Sequence, residues 1–121
     1  MKVMSQNIGA TACIRLEGPD AQKTLVDLLF DVGMTISRDG GFCQYAIEQD
    51  EENPGASIAT LRRRGATRVT DAHHEAAESQ AEIDRVLLVD DLVAKGAEVV
   101  TNDRPDIRRR GKKNKKPKKD K

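Results

Sequence analysis

Acids, imidazoles, thiols and a dense run of cations are the side chains here that could do chemistry, and their spacing limits which chemistry. Asp90 and Asp91 are adjacent; paired carboxylates can hold a divalent cation or divide general acid and base work. His73 and His74 are also adjacent, and on a helix they point about 100° apart, so they cannot face one ion together. His74 and Glu78 lie four apart and can, but a third ligand at recognisable spacing is missing. Cys13 and Cys43 are too few for a disulfide framework or a metal quartet, and neither has a histidine beside it, so both read as small buried or half-buried thiols. Gly40-Gly41 fits a hairpin turn better than a phosphate cradle, since no helix start follows directly. Ser, His and Asp occur without nucleophile-elbow spacing. The expectation is a protein that is not an enzyme and that uses no metal and no cofactor.

Phosphate binding is the chemistry the charges favour. The 121 residues carry 21 Lys+Arg against 20 Asp+Glu, a net charge of +1. Residues 108–121 hold ten basic side chains and one acid, net +9, and residues 1–107 hold eleven basic and nineteen acidic, net −8. The basic run contains Arg108, Arg109, Arg110, Lys112, Lys113, Lys115, Lys116, Lys118 and Lys119 and no apolar side chain. Such a segment repels itself and has nothing to bury, so it is expected to be disordered in isolation, leaving 1–107 as one compact acidic domain. Arg62, Arg63 and Arg64 form a second basic cluster. Few aromatic residues are available to stack on bases, and Phe42 and Tyr45 fall on opposite faces of one expected strand, so they make no shared platform.

Positioning these groups requires a fold, and the apolar pattern supplies one. Residues 10–17 alternate, with Ala10, Ala12, Ile14 and Leu16 facing inward and Thr11, Cys13, Arg15 and Glu17 facing out, as in a half-buried strand. Gly18-Pro19-Asp20 starts a helix whose Ala21, Leu25, Leu28, Leu29 and Val32 share a face, with Gly33 as its stop. Residues 35–38 then read as a short strand, Asp39-Gly40 as a hairpin turn, and 42–48 as a strand with Cys43, Tyr45 and Ile47 on one face. Residues 49–57 are a polar loop. Residues 58–64 read as a short helix closed by Gly65, and 66–70 as a strand. A polar helical piece runs to Glu78, Ser79 with Glu82 reads as a capping box opening a helix that Gly96 closes, and 97–101 is a last strand. The order β-α-β-β-insert-α-β predicts an α+β, ferredoxin-like body with an insertion, followed by the disordered basic C-terminal tail. The rival is a winged-helix-like second half, since Thr70, Ser79, Ile83, Leu87 and Gly96 approximate a helix-turn-helix rhythm in which Asp90 is misplaced.

Residues 85–91, RVLLVDD, followed by Leu92, Val93, Ala94, Lys95 and Gly96, resemble the phosphoribosyl-pyrophosphate loop of phosphoribosyltransferases over about a dozen residues. That resemblance implies a strand ending in acids that contact ribose hydroxyls. The match breaks where Lys95 and Ala97 replace a hydroxyl and a second small residue, and too little chain follows for the further parallel strands. Receiver domains carry a similar segment, but at their N-terminus. The preferred reading is an amphipathic helix over 80–95, with Ile83, Val86, Leu87, Val93 and Ala94 inward and Asp84, Asp91 and Lys95 in solvent. On that placement Asp90 falls in the apolar arc and needs a partner.

Together these readings predict a small non-catalytic nucleic-acid-associated protein. Its tail and Arg62 to Arg64 would contact DNA or RNA backbone without sequence specificity, while the body docks a partner protein. The alternative is a protein-interaction or inhibitor module whose acids, Asp50, Glu51, Glu52, Glu75, Glu78, Glu82 and Asp84, occupy a basic site on a partner. No apolar run approaches the roughly 18 residues of a membrane span. A cytoplasmic location is expected, or a nuclear one in a eukaryote, where 112–119 would serve as an import signal.

Overall fold

A computed structural model describes residues 1–63, 71–101 and 106–107, with the backbone alone over 71–74. The elements are β1 (Lys2–Ile8), β2 (Thr11–Glu17), α1 (Ala21–Arg38), β3 (Cys43–Gln49), β4 (Ala56–Arg63), α2 (Asp71–Ala94) and β5 (Glu98–Val99). The strands form one sheet in the order β3-β4-β2-β1-β5. Neighbours are antiparallel except β1 and β5, which run parallel. The body is therefore α+β, with a five-stranded mixed sheet and two helices.

β1 is a strand the apolar pattern does not reveal. Lys2, Ser5, Gln6 and Asn7 interrupt any alternation, yet β1 pairs along all seven of its residues with β2, from Lys2 opposite Glu17 to Ile8 opposite Thr11. Gly9, at φ 58°, supplies the positive φ that the two-residue turn between them needs. β1 takes the place beside β2, so β5 pairs with β1 instead and the four-strand ferredoxin-like closure is not formed.

Both helices pack on one face of the sheet. Leu25, Leu28 and Leu29 of α1 and Leu88 and Leu92 of α2 close on Val3, Ile14, Leu16, Ala59 and Leu61 in a single aliphatic core. The expected inward face of α1 is borne out at Ala21, Leu25, Leu28 and Leu29. Gly33 is not its stop: the helix continues to Arg38, because Ile36 extends the buried stripe by one turn. The stop is Gly40-Gly41. The Gly41 amide donates to the Ile36 carbonyl (2.9 Å) and the Gly40 amide to the Ser37 carbonyl (3.0 Å), with Gly40 at φ 88°, a Schellman closure. Residues 35–38 are thus helix rather than strand, and Asp39-Gly40 caps that helix rather than turning a hairpin.

Gly33 in a helix interior leads to a measurable outcome. A Cβ there would lie 3.5 Å from Tyr45 Cε2 and 3.8 Å from Cys43 Sγ, both ordinary contacts. Gly33→Ala is expected to raise stability by about 0.5–1 kcal/mol, read by urea unfolding at dilute protein; a helix-ending glycine would instead be destabilised by the same change.

Three further expectations are corrected. Residues 58–63 are strand β4, not helix, since a short run buried on both faces has no period that distinguishes the two. α2 is one unbroken helix of 24 residues, so Ser79 lies inside it, no capping box opens there, and residues 71–94 form neither a helix-turn-helix nor the strand of a phosphoribosyltransferase-type loop. The helix reading of 80–95 holds, and Asp91 and Lys95 are exposed as expected, but the inward face is a different one: Ala81, Asp84, Leu88 and Leu92 are buried while Ile83, Val86, Leu87, Val93 and Ala94 are exposed. Asp90 is exposed and needs no partner. The expected strand over 66–70 lies outside the described residues, as does the tail over 108–121.

β2 is central, and so is not polar on one side. Cys13 and Arg15, expected to face solvent, are buried beside Ala56 and Ile58 on the face away from the helices. Ile107 also belongs to that face. It is fully buried, and its amide donates to Gln6 Oε1 at 2.9 Å, Gln6 being opposite Cys13 in the register.

Candidate functional site

Two ion pairs, one buried and one with its arginine partly exposed, take up side chains expected at the surface. Arg15 Nε donates to Asp50 Oδ2 at 2.8 Å, with the two side chains 9% and 2% exposed. Asp50 Oδ1 accepts the Glu52 amide at 3.0 Å, an Asx turn that shapes the β3–β4 connection. Asn53 then accepts the Gly55 amide through Oδ1 (3.0 Å) and donates through Nδ2 to Glu17 (3.1 Å). The polar loop is thereby fastened to β2.

The second pair joins α2 to the sheet. Arg63 donates through Nε and Nη2 to the two carboxylate oxygens of Asp84 at 3.1 and 3.0 Å, and Gln80 Nε2 adds a third bond at 3.1 Å. The next residue, Arg85, donates to Asn7 Oδ1 (2.6 Å) and Ser5 Oγ (2.9 Å) of β1. This polar seam is why the Asp84 side of α2, rather than its more apolar opposite side, faces the sheet. The bidentate bond to Asp84 holds the Arg63 guanidinium more firmly protonated than usual.

Cys43 stands beside that seam. Burial pushes its thiol up from the ordinary value, while the nearby Arg63 cation pulls it partly back. A thiol held protonated in the fold contributes stability that is present below the pKa of an unfolded cysteine and lost as pH rises through the folded pKa. With iodoacetamide near neutral pH, Cys43 is expected to react slowly and buried Cys13 only on unfolding. Rapid double labelling of the native protein would show that the second sheet face is open.

The predicted sites are dispersed. Asp50 and Asp84 are internal, so they are not part of an acidic docking surface. Glu51 and Glu52 are exposed on the β3–β4 turn, whereas Glu75, Glu78 and Glu82 are exposed on the first half of α2. The eight-residue β4 lies between the two groups, about 25 Å of extended chain. Arg63 is engaged by Asp84 and Arg62 is exposed on the opposite face of β4. Arg64 lies outside the described residues, with the side chains of His73 and His74 and all nine tail cations from Arg108 to Lys119. Asp90 and Asp91 border a groove of about 340 Å³ between the helices, with Asp31 and Thr35 opposite and Arg63 and Asp84 at its base. Among the described residues no cluster of three metal-ligating side chains occurs, and no helix is long and apolar enough to cross a membrane.

Sequence reasoning missed one surface feature. Phe42 precedes β3 rather than lying within it, so its side chain is not bound by the strand's alternation. It joins Tyr45 and Phe30 around a single hollow of about 210 Å³. The signal available was the helix period in α1, which places Phe30 and Met34 together away from Leu25 and Leu29.

Compared with known proteins, the chain matches no family model, and no match was found among curated proteins or solved structures.

Proposed function

We propose that this chain is a non-catalytic nucleic-acid-associated protein in which residues 108–121 hold the phosphate backbone of DNA or RNA without reading sequence. The observation that carries the proposal is the division of charge, −8 over residues 1–107 against +9 over residues 108–121. Ten closely spaced cations displace condensed counterions from a polyanion, giving affinity that depends on salt rather than on base sequence. The body is poorly suited to do this itself. Arg15, Arg63 and Arg85 are occupied by Asp50, Asp84 and the Asn7–Ser5 pair. Ile107, the residue before the basic run, is seated on the sheet through Gln6, which gives the run a fixed root on the body.

The test is binding of the full chain to a random duplex and to a single strand across a salt titration, beside the 1–107 truncation. A steep salt dependence that the truncation abolishes supports the proposal; equal binding by the truncated body refutes it.

A second reading concerns the body. Glu75, Glu78 and Glu82 follow a spacing of three and four, so they share one exposed stripe of α2, suited to a basic surface on a partner protein or to an inhibitor's blocking contact. Partners captured from host extract after nuclease treatment, and lost when these three glutamates become glutamine, would favour it.

A further inference from the structure

The N-terminus of α1 opens onto a hollow that nothing on the helix fills. At this end of an 18-residue helix the Ala21 amide donates to the Gly18 carbonyl (3.2 Å) and the Thr24 amide to the Asp20 carbonyl (2.9 Å). Between them the amides of Gln22 and Lys23 are the leading donors for which an α-helix has no acceptor of its own. Asp20, in the capping position, makes no side-chain hydrogen bond to them; it holds φ 60° and is exposed. The first turn contains no acid, so the partial positive charge of the helix end is not offset from within the helix.

The hollow, of about 680 Å³, lies between the β2–α1 turn and the β3–β4 connection, which are tied together by the Gly18 amide donating to the Gly55 carbonyl at 2.9 Å. Its floor carries a second, independent feature. Ser57 stands opposite Leu16 in the register, so its side chain turns toward α1 as Leu16 does. It is only 3% exposed, it lines the hollow, and its hydroxyl has no hydrogen-bond partner among the described residues. Buried polar groups are almost always bonded, so a buried hydroxyl without a partner asks for one. The hydroxyl is not sealed in the core either: the sealed side-chain atom without a partner is Asn7 Nδ2, elsewhere on the sheet. Gln49, opposite Ser57 on β3, donates one amide hydrogen to the Pro54 carbonyl (2.9 Å) and has a second to give. Lys23 borders the same space, its ammonium paired with Asp27 at 2.8 Å on the surface, a contact that costs little to reopen.

We propose that this hollow binds the phosphate group of a small phosphate monoester. The groups that converge on it are donors: the Gln22 and Lys23 amides, the Ser57 hydroxyl, the Gln49 amide and the Lys23 ammonium. Donors at a helix N-terminus suit a tetrahedral oxyanion, which accepts several charge-assisted hydrogen bonds and asks for none in return. The space is larger than a phosphate and falls in the range of small-molecule sites, and Pro19, Val26 and Pro54 give it an apolar wall for the ester group. Asp20 is the one acid bordering it among the described residues. Its carboxylate opposes the ligand's charge and so limits affinity without taking the donors. The site is separate from the grip on nucleic acid proposed for residues 108–121: it holds one terminal phosphate in a pocket, whereas a strand needs cations spread along its backbone.

In the isotope-labelled full chain, titration with inorganic phosphate is expected to move the Gln22 and Lys23 amide resonances saturably, while chloride at the same ionic strength leaves them in place. Ser57→Ala removes a hydroxyl that has no partner in the fold, so its thermal midpoint is expected to be unchanged or higher, while its phosphate affinity falls about tenfold, the worth of one hydrogen bond to a charged group. Asp20→Asn keeps a residue that tolerates positive φ and removes the bordering acid; it is expected to bind phosphate several-fold more tightly. Phenyl phosphate is expected to bind more tightly than inorganic phosphate, its ring lying against Val26 and Pro54. Resonance changes confined to residues 108–121 overturn the proposal. So does a phosphate affinity indifferent to Ser57→Ala, and phenyl phosphate binding no tighter than inorganic phosphate overturns the assignment to a monoester.

Discussion

Asp50→Asn is expected to lower the free energy of unfolding by about 3 kcal/mol, the cost of taking the nearest counterion from a buried guanidinium and leaving it only the half-exposed Glu17 carboxylate at 3.5 Å. Arg15 lies on the central strand β2 and Asp50 at the mouth of the β3–β4 turn, 2.8 Å apart and nearly sealed from water. The same side chain shapes the turn through the Glu52 amide, and asparagine keeps that acceptor, so the substitution strikes the charge and spares the loop. Against a total stability of about 5–15 kcal/mol for a domain of this kind, the loss brings the protein close to unfolding at moderate temperature. Urea denaturation followed by far-UV circular dichroism measures it. Adding Arg15→Met to Asp50→Asn, which removes the buried cation and keeps the turn's acceptor, is expected to recover much of the loss, because the penalty lies in the orphaned charge rather than in the missing attraction. A cost below about 1 kcal/mol for Asp50→Asn would mean that the pair behaves as an exposed one.

Removal of residues 108–121 has the largest expected effect on binding. Each phosphate neutralised on duplex DNA contributes about −0.9 to the slope of log affinity against log salt, so ten engaged cations set a limit near −9 and half of them a slope of about −4.5. The full chain is expected to lose affinity by orders of magnitude between low and physiological salt, and the truncated chain to show little binding at either. Fluorescence anisotropy with a labelled random duplex reads both. Ending the chain at Ile107 keeps the Gln6 contact, so lost binding with an unchanged circular dichroism spectrum is assignable to the basic run. A shallow slope in the full chain would exclude backbone contact as the source of affinity.

The parts of this fold legible in the sequence are those where period and burial agree. α1 announces itself through Ala21, Leu25, Leu28 and Leu29, and β2 through Ala12, Ile14 and Leu16. β1 is hidden because its inward positions Ser5 and Asn7 are polar, with Ser5 Oγ and Asn7 Oδ1 accepting from Arg85 on an element about eighty residues away. The inward face of α2 differs from the expected one for the same reason: an aspartate counts against burial until its arginine is known, and Arg63 sits on another element. Asp50 was read as surface acid for want of Arg15. Local signals mark where backbone turns, but ion pairs between distant residues decide which side turns inward. Gly33 and Gly40 show the converse. Both can end a helix, and Ile36, one turn beyond the first, settles which of them does. The aromatic hollow lies within residues 30–45, but it forms only because α1 runs on to Arg38 and the Gly40-Gly41 closure turns β3 back along it.

The parallel pairing of Lys2 and Val3 with Glu98 and Val99 has a bearing on biosynthesis. As the polypeptide leaves the ribosome, the β1–β2 hairpin can zip at once, but its other flank stays bare until about eighty further residues have been polymerised. Completion is then a late, all-at-once event that fastens the two ends of the body together. The nascent chain passes most of its translation with an adhesive flank available to chaperones or to its own neighbours on the same messenger.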